Sequence, residues 1–181
     1  KTKEVEKKAK KRKLRSYFMK SKESANARMG AFICIAGDTT MWSNKNYFEL
    51  VTKDEETNDC RGVVMLLTIQ AKNGKKYLWF GPNPYESLMA QVSTPAVYNH
   101  LYETVTAFAQ ENNYDGVVVP EESKILGACT NRGGEFPELI KKSMLRDKKD
   151  NLIEVDFGKS HALGGGYEYS KGVLIWKPKA A

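Results

Sequence analysis

Between residues 30 and 176, short apolar runs and alternating stretches are separated by turn residues, and one longer stretch carries a helical stripe. "GAFICIAG" (30–37) is apolar between glycines and predicts a strand. "NYFELVTK" (46–53) alternates and predicts another. The charged "DEETNDCRG" predicts a loop. Two apolar runs, "VVMLLTIQA" and "KKYLWFG", then flank Lys72, Asn73 and Gly74. Asn-Gly between apolar runs signals a hairpin, because these residues tolerate the positive φ of a tight turn. The second strand stops at "GPNP", where Pro82 and Pro84 cannot continue a central ladder. Alternation places Tyr77 and Trp79 on one face and Leu78 and Phe80 on the other.

"STPAVYNHLYETVTAFAQENN" predicts the longest helix. Ser93 or Thr94 caps it and Pro95 suits its first turn. Val97, Leu101, Val105 and Phe108 form one core-facing stripe, with His100 beside it, partly buried or at the surface. "YDGVVVPEE" is a short continuous run, as expected of an interior strand. A second helix is predicted at about 134–145. "NLIEVDF" alternates Ile153, Val155 and Phe157, and "GGGYEYSKGVLIW" supplies a closing strand. These elements predict an α+β domain: a mixed central sheet with helices packed on its faces.

Composition changes little in that picture. With 181 residues, 41% apolar and 28% charged, the chain has the size and balance of one soluble domain. No apolar run approaches the roughly 20 residues of a membrane span, so no membrane partner is expected. Cys34, Cys60 and Cys129 show no paired spacing, which predicts a reducing, intracellular setting, cytoplasmic or nuclear. Without a Cys-x-x-Cys, and with His100 and His161 far apart, no metal site is predicted.

Charge divides the chain. Residues 1–28 hold 12 Lys/Arg against 3 Glu, a net of +9, whereas 29–181 carry a net of −2. The division gives a basic N-terminal arm or linker helix (1–28) and a single globular α+β domain (29–181). Lys, Arg, Glu and Ala favour helix in the arm. A solvated linker is its plainest role; contact with nucleic acid or an acidic partner is the alternative.

Two constellations suggest chemistry directly. Cys129 lies in "ILGACTNRGGEFPELI" and His161 in a second Gly-rich loop, "FGKSHALGGG". A thiol and an imidazole brought together, with Asp156 or Asn131 orienting the ring, would make a thiol hydrolase. "TNRGGEF" also offers backbone amides and Arg132 to an anion. A plain turn explains it equally well.

The order of hairpin, loop, helix, short strand, Asn-containing loop, helix and closing strand pair resembles the GNAT acyltransferase superfamily. The resemblance spans roughly residues 46–176, a GNAT-like order in the C-terminal two-thirds. The family's phosphate loop reads Gln or Arg, two residues, Gly, one residue, Gly or Ala. Here "QVSTPA" (91–96) keeps Gln91 and Ala96, with Thr94 in place of the Gly. Asn131 falls where the family has a cofactor-contacting Asn, and Glu138 stands where a tyrosine often serves as general acid. The resemblance implies acetyl-coenzyme A, or another acyl-CoA, as cofactor, held near Phe80, Gly81, Gln91, Thr94, Ala96 and Asn131. It implies an amine acceptor, on a small molecule or a protein, with Glu103 or Glu138 removing its proton. Its rivals are a non-catalytic binding module with a nucleic-acid-contacting arm, and the hydrolase of Cys129 and His161.

Overall fold

A computed structural model describes residues 13–20, 43–81, 93–125, 135–162 and 168–180. Seven strands form one mixed sheet: β1 (Leu14–Met19), β2 (Tyr47–Asp54), β3 (Cys60–Gln70), β4 (Lys76–Phe80), β5 (Gly116–Pro120), β6 (Glu154–Ala162) and β7 (Glu168–Trp176). Among the described residues two α-helices accompany them, α1 (Thr94–Glu111) and α2 (Phe136–Ser143). The strands lie in the order β1-β2-β3-β4-β5-β7-β6. Neighbours are antiparallel except β4 and β5.

The hairpin forms where Asn-Gly predicts it. Gly74 has φ +80°, the amide of Ala71 donates to the carbonyl of Lys75, and the Asn73 carboxamide oxygen accepts from the Lys75 amide. α1 begins with the Ser93 hydroxyl accepting from the Ala96 amide, and it ends at Asn113, which takes φ 59° in place of a glycine. The chain then turns straight into β5. The Asp115 amide donates to the Lys76 carbonyl, the Lys76 amide to the Asp115 carboxylate, and Lys76 Nζ to the Asn112 carbonyl. The end of α1 is thus tied to the start of β4. Running back along the sheet for about 27 Å, at 1.5 Å per residue, α1 has its N-terminus at the carboxyl end of the parallel pair.

Period-two alternation sorts the sheet into two apolar layers. Leu66, Leu78, Phe80, Val117, Val119, Val173 and Ile175 meet Val97, Leu101, Val105 and Ala109 of α1 and Phe136 and Ile140 of α2. Tyr47, Leu67, Tyr77, Trp79, Val118, Val155, Phe157 and Tyr169 form the opposite layer. Both described helices therefore pack on one face of the sheet. Phe108, expected in the α1 stripe, is half-buried beside it, and Ala109 takes the core position.

Three expectations change. Within the segment read as a helical arm, Leu14–Met19 is a strand paired with β2 from Leu14↔Asp54 to Met19↔Glu49. Tertiary pairing overrides helix propensity there: Phe18 stacks on Phe108 at 4.3 Å and Ser16 bonds Thr52 and His100 at 2.9 and 2.8 Å. The loop before β3 is shorter than expected, because Cys60 already pairs with Lys53. Finally, α2 spans only Phe136–Ser143, with Pro137 in its first turn and Met144 extended at its end. The predicted strand at 30–37 lies outside the described residues.

Candidate functional site

The parallel pair ends abruptly. Its register runs Tyr77↔Gly116, Leu78↔Val117, Trp79↔Val118 and stops, although β4 continues to Phe80 and β5 to Pro120. The backbone explains why. The Lys76 carbonyl faces β5, accepting from Asp115, whereas the Gly81 amide faces β3, donating to Met65. Even-numbered residues of β4 therefore turn their backbone groups toward β5. In a parallel ladder the next bond after Trp79↔Val118 would run from the amide of residue 120 to the carbonyl of Phe80. Pro120 has no amide hydrogen. On its other side Pro120 still pairs with Gly172 of β7, so β5 stays in the sheet while its hydrogen-bonded ladder with β4 ends. The crevice outside the carboxyl ends of parallel strands is where open sheets with helices receive ligands.

Around this open end the structure places several of the residues singled out in the sequence. Phe80 and Gly81 terminate β4, both buried. The Gly81 amide donates to the Met65 carbonyl at 2.9 Å. A side chain on Gly81 would come within 2.7 Å of the Trp79 ring. Thr94 and Ala96 lie in the first turn of α1, where amides and helix dipole favour an anion. Pro95 offers no amide, and the Ala96 amide is engaged by Ser93 Oγ at a long 3.4 Å.

Other candidates are not brought there. Glu103 faces solvent on α1, nine residues or about 14 Å along the helix from Thr94. Glu138 faces solvent on α2 and pairs with Lys141 at 3.5 Å. Gln91, Cys129, Asn131 and Arg132 lie outside the described residues. His161 does not sit in a Gly-rich loop but in strand β6, opposite Tyr169 of β7. Gly158, at φ +76°, is absorbed as an irregularity within β6 and does not end it.

The layer opposite the helices holds groups that the sequence reading missed. Glu49 is fully buried in β2 and its carboxylate accepts a hydrogen bond from the Tyr47 hydroxyl. Glu49 pairs with Met65, whose carbonyl takes the Gly81 amide, so the carboxylate lies two strands from the open end. Beyond that end, the Trp79 and Tyr169 rings lie 5.3 Å apart, and Phe157 meets His161 edge-on at 5.8 Å. Burial, reinforced by Lys159, lowers the His161 pKa, which favours a neutral ring. On the helical side, burial pushes Tyr98 up to about 12, against the opposing pull of its bond to Ser143. Its phenol thus keeps its proton at neutral pH. Burial likewise raises the Cys60 thiol, which leaves it a poor nucleophile.

Neither described helix is long and apolar enough to cross a membrane, and among the described residues no cluster of His, Cys, Asp and Glu suits a metal. Compared with known proteins, the chain matches no protein-family model, no curated protein and no solved structure.

Proposed function

We propose that the protein transfers an acyl group from acetyl-coenzyme A, or another acyl-CoA, to an amine, and that its sheet has the GNAT order. The observation that carries this is the opening of the one parallel joint among the described strands at Pro120. The arm of coenzyme A contains amide groups, and an amide N–H lying in that opening supplies the bond to the Phe80 carbonyl that residue 120 cannot. The diphosphate would then meet the N-terminus of α1 at Thr94, where a phosphate oxygen readily displaces the long Ser93–Ala96 contact. An edge strand, β1, antiparallel to β2, supports this reading.

In this mechanism the amine nitrogen attacks the thioester carbonyl carbon, the C–N bond forms, the C–S bond breaks, the nitrogen gives up a proton, and coenzyme A leaves as a thiol after taking up a proton. Calorimetric titration of acetyl-coenzyme A into the full chain tests the proposal. Saturable binding, weakened by about tenfold or more (1.4 kcal/mol) in Thr94→Asp, is expected, because a carboxylate at a helix start opposes the diphosphate. No heat at high protein concentration overturns it.

A further inference from the structure

Two buried nitrogens in the layer opposite the helices have no hydrogen-bond partner: Trp79 Nε1 and His161 Nε2. Buried polar atoms are nearly always paired, so two orphans around one tyrosine ring call for a cause. Trp79 is 1% exposed, and its ring lies 5.3 Å from Tyr169. His161 is the register partner of Tyr169 on β6. Trp79 is the last β4 residue paired with β5 and His161 lies further along in β6, on the side of the sheet away from α1 and α2.

Resting on the acyl-transfer reading, we propose that Trp79, Tyr169 and His161 form the subsite for the acceptor, a primary amine, and that His161 Nε2 takes its proton. An alkylammonium ion is drawn to aromatic ring faces, and the Tyr169 ring already has the Lys124 ammonium 5.8 Å from its centroid. His161 Nε2 removes one proton from the ammonium, freeing the nitrogen lone pair. The amine then attacks the thioester carbon; as the C–S bond breaks, the departing thiolate takes the surplus proton from the newly acylated nitrogen and leaves as the thiol, and the imidazolium releases its proton to solvent. Trp79 Nε1–H donates to the oxygen-bearing end of the reacting group. The charged and titratable groups facing His161 are Lys159 on its own strand and Tyr169 on β7, with Lys124 beyond the Tyr169 ring. Burial, and then Lys159, disfavour a positive charge on the ring, which keeps it neutral and able to accept a proton.

The test uses the full chain, with propylamine and spermidine as probe amines and the backbone-assigned indole N–H resonance of Trp79 as readout. That resonance should shift saturably with either amine in the wild type and weakly or not at all in His161→Gln, while acetyl-coenzyme A affinity in the variant stays within about twofold. Where transfer is measured, kcat/KM should fall by about 10²-fold in His161→Gln, with loss of the acidic limb of its pH profile. An indole signal unmoved by both amines, with acetyl-coenzyme A binding intact, overturns the amine subsite alone. A variant that keeps its rate and its acidic limb overturns the role of His161. Failure of the wild type to bind acetyl-coenzyme A removes the acyl-transfer reading and this subsite with it.

Discussion

Pro120 occupies the position whose amide would donate to the carbonyl of Phe80, and so it ends the β4–β5 ladder at Trp79↔Val118. One ring closure in one side chain thereby decides where the sheet opens. Pro120→Ala restores an amide at that position. The new bond is worth about 1 kcal/mol and the lost chain restriction costs about 0.4–1 kcal/mol, so stability should change little. Hydrogen exchange should show the introduced amide protected and acetyl-coenzyme A bound more weakly. Free exchange at residue 120 would mean that something other than the proline parts the strands.

Gly81 is required by the ring beneath it. A Cβ there would lie 2.7 and 2.9 Å from two carbons of the Trp79 ring and 3.2 Å from Met65 Cβ. Trp79 is only 1% exposed. Gly81→Ala should cost about 1–3 kcal/mol, as overpacking does. Denaturant unfolding measures it, and a cost near zero would show that the indole can shift.

Tyr47 and Glu49 form a buried pair on one face of β2. Tyr47→Phe removes the donor and keeps the packing. The expected loss is about 1–3 kcal/mol, because a buried carboxylate loses a partner that water cannot replace. Chemical denaturation reads the change; a variant as stable as the wild type contradicts the importance of that bond.

His161 gives stability a pH dependence of known sign. Burial first, and Lys159 second, lower its pKa in the folded state. Unfolded histidine titrates near 6.5. Between the folded value and 6.5 the unfolded chain binds more protons, so this contribution is fully present above about 6.5 and is lost as pH falls toward the folded value. Melting temperatures at pH 8 and pH 5 should therefore fall further for the wild type than for His161→Gln. Equal losses would show that His161 is not desolvated.

Much of this architecture is legible in the pattern of residues. Asn73 and Gly74 announce the hairpin, Ser93 and Pro95 the start of α1, and Gly116 to Pro120 an interior strand. Local signals of this kind depend on turn chemistry and periodicity. What sequence reading missed depends on pairing. Leu14–Met19 has helix-forming neighbours and becomes a strand only because β2 and Phe108 receive it. His161 lies among glycines that suggest a loop, yet Gly158 lets the strand continue. The meeting of Trp79 with Tyr169 joins residues 90 positions apart, and no local pattern encodes it. Glu49 was the exception that could have been read: in "NYFELVTK" it shares a face with Tyr47 and Val51, both buried. Pro120 was also in view, although its effect emerges only once β4 is known to run parallel beside it.

The most direct measurement is the set of backbone amide shifts when acetyl-coenzyme A is added to the isotope-labelled full chain. The largest changes should fall at Phe80, Gly81, Val118, Val119 and Thr94, at the open end of the parallel joint and the start of α1. A spectrum that does not change, or changes only around Phe18, Phe48 and Phe108 at the opposite edge of the sheet, would contradict a cofactor site at that joint.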